Sequence, residues 1–189
     1  MIDGESQKLD NMNETVFPNN RAFLIYTEQD IKDAFSYVSN IPGIVNPRLR
    51  PKRDSKYLVF SIDDIDFIIR MSDHTRKYVS DKTLTPIYYG YNNIWSIDTL
   101  VGKYKPQDLP IIVNNLRNAI KKYYNKTELS VIKAFVKKNR SKFALRTKDD
   151  SAQILAAEFM TENQINEDRL GVSYFVLYEI ILRMLMLGN

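Results

Sequence analysis

The chain has 189 residues, 44% of them hydrophobic and 26% charged, a formal net charge of +4, and no cysteine. That length allows a real core, burying about 70% of the surface an unfolded chain would expose, and the ordinary composition speaks against disorder away from the ends. The missing cysteines exclude disulfides, thiolate metal sites and cysteine nucleophiles together, and a polar, acidic N-terminus lacks the pattern of a signal peptide, so a cytoplasmic protein is expected.

Asn, Lys, Ile and Tyr are frequent while Gly and Ala are scarce, as AT-rich coding would produce. Charge is distributed unevenly. Residues 1–20 carry Asp3, Glu5, Asp10 and Glu14 against Lys8 alone, whereas residues 103–148 carry thirteen Lys or Arg against Asp108 and Glu128. The basic stretch is where a polyanion would bind.

In chain order, residues 1–20 have few apolar positions and no period, which suggests a mobile arm. Residues 21–26 are a short apolar run with strand character. Thr27, with Asp30 three positions on, has capping-box spacing, and Ile31, Ala34, Phe35 and Val38 recur at helical spacing until the breakers at 40–43. Pro47 and Pro51, interleaved with Arg48, Arg50, Lys52 and Arg53, predict an exposed basic connector over 44–56. Residues 56–74 contain the clearest strand pattern. Leu58, Phe60 and Ile62 share one face, Phe67, Ile69 and Met71 alternate with Ile68, Arg70 and Ser72, and an Asp-rich turn joins two strands of a hairpin. A polar loop over 74–86 should follow, then one or two strands in the aromatic, β-branched stretch 87–97.

From residue 106 the period becomes helical. Leu109, Ile112, Val113, Leu116, Ile120 and Tyr123 share a face, with Pro110 tolerable in the first turn. Thr127 can cap a second helix through Leu129, Ile132, Phe135 and Val136. A third is expected over about 148–163 and a last over about 169–187, apolar nearly all round and therefore the core helix. Glu179 and Arg183 at its middle can pair four residues apart, and charges there speak against a membrane span. The expected class is α+β: a small, mostly antiparallel sheet with one helix in the N-terminal half (21–105), packed against a C-terminal helical set (106–189), in one domain after the arm.

Candidate chemistry is sparse. Asp63, Asp64, Asp66 and Asp73 with His74 offer ligands for a divalent cation, but their spacing fits no metal loop, and a solvated Asp turn produces the same pattern. Asp54-Ser55-Lys56 before a strand has the outline of a metal-dependent nuclease site that would need Asp64 or Asp66. A hairpin puts those aspartates at the far end of the strand, roughly 20 Å away, so no such cleavage is expected. Gly-rich phosphate loops, Gly-x-Ser-x-Gly elbows and paired histidines are missing, and neither enzymatic activity nor a cofactor is expected.

The nucleic-acid candidates are Arg48, Arg50, Lys52 and Arg53 in the connector and Lys121, Lys122, Lys126, Lys133, Lys137, Lys138, Arg140 and Lys142 in the helical half. A merely solvated face gives the same pattern. The helix, Asn125-Lys126 turn and helix at 109–139 has the outline of a helix-turn-helix, but without a turn glycine an ordinary helical hairpin is expected. Tyr88, Tyr89, Tyr91 and Trp95 present a stacking platform or a protein-binding patch, with core packing as the default.

The segment Ile69-Arg70-Met71-Ser72-Asp73-His74, following a Lys-Tyr-Leu strand, resembles an Arg-x-Ser-Asp-His element of uncharacterised phage and mobile-element proteins, over fewer than twenty of the 189 residues. The resemblance implies a mobile-element setting and directs attention to Arg70, Asp73 and His74. The expectation is a non-enzymatic protein binding DNA or RNA. The alternatives are an anti-defence inhibitor that binds a host nucleic-acid enzyme, and, further off, a metal-dependent nuclease.

Overall fold

In the computed structural model, residues 27–52, 55–72, 94–101, 104–143 and 146–187 are described. The expected arm at 1–20, the strand at 21–26, the loop at 74–86 and the strand positions 87–93 lie outside them. The class is α+β, and the chain divides into two compact units, Met1–Val113 and Asn114–Asn189.

In the first unit, helix α1 (Glu28–Ser39) starts at Thr27 for the reason its sequence suggests. Thr27 Oγ1 accepts the Asp30 amide at 3.0 Å while Asp30 Oδ2 accepts the Thr27 amide at 3.1 Å, so two otherwise orphaned donors are satisfied reciprocally. Ile31, Ala34 and Val38 form its buried stripe, and the helix packs against strand β1 and the 3-10 turn Pro106–Asp108.

Four strands follow in spatial order β1-β2-β3-β4: β1 (Val45–Lys52), β2 (Ser55–Ile62), β3 (Ile65–Ser72) and β4 (Ile94–Ser96). The first is a correction, because residues 45–52 form a strand where a connector was expected. Pro47 and Pro51 are tolerated since β1 ends the strand order, and an outermost strand has amides that need no ladder partner. Asn46, at φ 53°, supplies one extra residue between the Val45↔Ser61 and Arg48↔Val59 pairs, a β-bulge. Asn tolerates this left-handed backbone better than most residues.

Strands β2 and β3 form the expected hairpin, in register from Ser55↔Ser72 to Ile62↔Ile65. Asp63 and Asp64 turn at φ 49° and 68°, and positive φ at both central residues matches the right-handed twist of the flanking strands. Leu58, Phe60, Ile62, Ile65, Phe67, Ile69 and Met71 are all buried, each contributing about 1.5–3 kcal/mol of transfer free energy. Phe60 stacks on Phe67 at 5.6 Å, and Trp95 meets Phe67 edge-on at 5.9 Å. Strand β4 runs parallel to β3, with Phe67↔Trp95 as the central pair, and helix α2 (Asp98–Val101) follows it.

Helix α3 (Leu109–Tyr123) carries Pro110 in its first turn, as anticipated, and runs into the second unit. There α4 (Lys126–Asn139), a 3-10 turn (Arg140–Phe143), α5 (Lys148–Glu162) and α6 (Val172–Met186) follow. Phe135 of α4 meets Phe159 of α5 edge-on at 5.2 Å, and α6 packs on both helices. The Tyr174 hydroxyl donates to the Gln153 carbonyl at 3.1 Å, and that of Tyr178 donates to Asp149, so two phenols of α6 are tied to α5. Desolvation, then the charges of Asp149 and Glu167, raise the Tyr174 phenol above its ordinary range.

Asp168 starts α6. Its carboxylate accepts the amides of Leu170 (3.1 Å), Val172 (2.9 Å) and Ser173 (2.9 Å), while Gly171 takes the left-handed conformation at φ 70°. As expected of a core helix, α6 is buried without interruption from Phe175 to Arg183, and Glu179 and Arg183 pair within it. Among the described residues, no helix is long and apolar enough to cross a membrane.

Candidate nucleic-acid interface

The basic surface of the second unit is built on the junction between α3 and α4. Asn125 closes one helix and opens the next. Its Nδ2 donates to the carbonyls of Lys121 and Lys122, both at 3.1 Å, and its Oδ1 accepts the Glu128 amide at 3.0 Å. Thr127 had been expected as the cap, but the cap is Asn125 and the helix begins two residues earlier than that expectation, at Lys126. The turn is therefore Tyr124-Asn125, and Lys126 is already helical.

Ile132, Phe135, Val136 and Asn139 form the buried side of α4. On the other side, Lys126, Lys133 and Lys137 are exposed and fall within an arc of about 40° at 100° per residue, with Lys138 also exposed about 120° round from the middle of that arc. Ser130 and Ala134 separate them, and Glu128, the helix's one carboxylate, is half-buried away from the stripe. Among the described residues, no ion pair engages these four lysines. Lys121 and Lys122 are exposed at the end of α3, the latter with Nζ 5.3 Å from the centre of the Tyr123 ring.

The remaining helical candidates are more constrained. Lys142 donates to Asn139 Oδ1 at 2.9 Å, and the buried Asn139 in turn donates to the Phe135 carbonyl at 2.8 Å, so this lysine serves the end of α4. Arg140 is half-buried. Charge is strongly segregated in this unit: residues 114–142 carry nine Lys or Arg and one carboxylate, whereas residues 149–168 carry six carboxylates and no Lys or Arg.

In the first unit, Arg48 and Arg50 lie on one face of β1, opposite Val59 and Tyr57, and Tyr57 is in turn opposite Arg70. Arg50 is exposed, whereas half-buried Arg48 donates to the Asn46 carbonyl at 2.9 Å. Lys52 belongs to β1 by its backbone, and Arg53 lies outside the described residues. Of the short phage-like element, Asp73 and His74 also lie outside them. Arg70 is half-buried on β3, and its amide donates to Oδ1 of the buried Asp98 at 2.6 Å, which anchors α2 to the sheet. The one cue to that anchor is an acidic residue at the first position of a short helix.

Asp63 and Asp64 are exposed in the turn, and Asp66 accepts a hydrogen bond from Ser61. Lys56 pairs with Met71, five residues along β2 from the Ser61↔Asp66 pair, a separation of about 17 Å. That distance is incompatible with one site in which Lys56 stands within hydrogen-bond reach of a metal held by those aspartates, and Asp54 lies outside the described residues. No group of three metal-competent side chains forms among the described residues. Trp95, expected in a stacking or protein-binding patch, is fully buried in the Phe60–Phe67 cluster, while Tyr88, Tyr89 and Tyr91 lie outside the described residues.

One surface escaped sequence reasoning. Asn114, Asn115 and Asn118 are exposed on α3, on the side opposite its apolar stripe and next to Lys121 and Lys122. Their spacing of one and four residues was the available signal.

No protein-family model, curated protein or solved structure matches the chain.

Proposed function

We propose that the chain is a non-enzymatic nucleic-acid-binding protein that holds the phosphate backbone with the lysine face of α4 and the lysines ending α3. The observation that carries this reading is the stripe of Lys126, Lys133 and Lys137, without an ion pair among the described residues and on a helix side that bears no carboxylate, with Lys138 exposed further round the same helix. The eleven helical rises from Lys126 to Lys137 give the stripe a length of about 16 Å, enough to run past about five phosphates of one strand at a 3.4 Å rise. An ordinary solvated helix mixes both signs, because opposite charges three or four residues apart support each other. Here the like charges repel. A polyanion removes that repulsion and releases its own condensed counterions.

A cytoplasmic location goes with a nucleic-acid partner, and the mobile-element setting suggested by residues 69–74 belongs to the same proposal. The test is fluorescence anisotropy with labelled single- and double-stranded oligonucleotides at low salt. The variant Lys126→Gln/Lys133→Gln/Lys137→Gln/Lys138→Gln should bind at least tenfold more weakly than the parent while keeping its far-ultraviolet circular dichroism. Equal affinity of parent and variant, or no binding by the parent at micromolar protein, would overturn the proposal.

A further inference from the structure

The amide face of α3 suggests what the lysines bring to the protein. We infer that Asn114, Asn115 and Asn118 enter the major groove of duplex DNA and read adenine, so that the preferred partner is an A·T-rich duplex. This rests on the nucleic-acid-binding reading and adds the class and sequence of the ligand.

All three asparagines are exposed, and they fall within an arc of about 100° on the helix. Asn118 lies one turn beyond Asn114 and Asn115. Among the described residues, no hydrogen bond engages any of the three side chains, whereas Asn125 and Asn139 on the same helical pair are both committed to helix ends. Asn is a poor helix former, because its side chain competes for backbone groups. Three within five positions weaken α3 at a place where the fold makes no use of them.

A carboxamide carries a donor and an acceptor side by side, the complement of the N6 donor and N7 acceptor that adenine shows in the major groove. The face contains no carboxylate, which would be repelled by phosphate. Lys121 and Lys122 lie one turn further along the same side, where a helix leaving the groove meets the backbone. From Asn114 to Asn118 the helix rises about 6 Å, close to two base-pair steps of about 3.4 Å. An α-helix of about 10–12 Å diameter enters the major groove of B-form DNA, while the deep, narrow groove of duplex RNA does not admit its side chains.

The decisive experiment measures anisotropy with three labelled 20-base-pair duplexes: A·T only, G·C only, and the A·T duplex with 7-deazaadenine in place of adenine. The parent should prefer A·T over G·C about tenfold, the discrimination expected of one good bidentate pair, and should lose most of that preference on the 7-deaza duplex. Asn114→Ala/Asn115→Ala/Asn118→Ala should bind the G·C duplex within about twofold of the parent and bind all three duplexes alike, because phosphate contacts carry no sequence information. Alanine favours the helix, so the variant should remain folded. Equal parental affinity for A·T and G·C duplexes, or a preference that survives the triple substitution or the loss of N7, overturns the adenine reading and leaves the phosphate-binding function standing. Binding to none of the duplexes overturns both.

Discussion

Glu167 and Asp168 are neighbours in sequence with different environments. Asp168 accepts three backbone amides ahead of α6, while desolvation first and the Asp168 charge second raise the pKa of Glu167 from its ordinary 4.5. A carboxyl whose pKa is raised on folding binds its proton more tightly in the native state, so its ionisation destabilises the fold as pH rises from 4.5 through the raised value, and the full penalty stands at neutral pH. Glu167→Gln should therefore raise the melting temperature at pH 7, and the gain should vanish at about pH 4. A variant no more stable than the parent at pH 7 would contradict this. Asn125 shows how far single residues were legible. Both Asn125 and Thr127 are good cap residues by type, and only the geometry shows Asn125 serving two helices at once.

Whole elements were legible wherever period and partner agreed. The hairpin of β2 and β3 follows from strict alternation and an Asp-Asp turn, and the long helices follow from their apolar stripes, whereas the four-residue α2 was not anticipated. Strand β1 was not legible, because two prolines in eight residues read locally as a breaker. Their acceptability depends on β1 being last in the strand order, which is a property of the sheet. The parallel pairing of β4 is likewise a property of tertiary structure, and three residues offer no period from which to infer it. Helix α6 tests the energetics of an element whose polar pair was foreseen. Glu179 and Arg183 are both buried, and Arg183 Nη1 also donates to the Glu179 carbonyl at 3.1 Å. Arg183→Met leaves a buried carboxylate without that guanidinium and should cost about 3–5 kcal/mol in urea unfolding, whereas Glu179→Leu combined with Arg183→Met should recover most of the loss. A double variant as unstable as the single one would show that the pair itself, rather than the stranded charge, holds the helix.

Charge is what distinguishes the chain at the scale of the whole molecule. A net charge of +4 understates it, since basic residues concentrate at 103–148 and carboxylates at 149–168. The basic stretch was visible in the sequence. Which lysines share a face required the helix bounds, since a start at Lys126 is what places this residue in line with Lys133 and Lys137. The arginines of β1 belong to the first unit, and their exposure differs residue by residue. The central claim is that exposed lysines on α3 and α4 bind phosphate, and the salt dependence of duplex affinity tests it most directly. With Lys121, Lys122, Lys126, Lys133, Lys137 and Lys138 each neutralising one phosphate, a plot of log K against log salt concentration should be linear with a slope of about −5, falling to about −2 when the four α4 lysines are replaced by glutamine. A flat plot, or a slope unchanged by those four substitutions, would contradict the account.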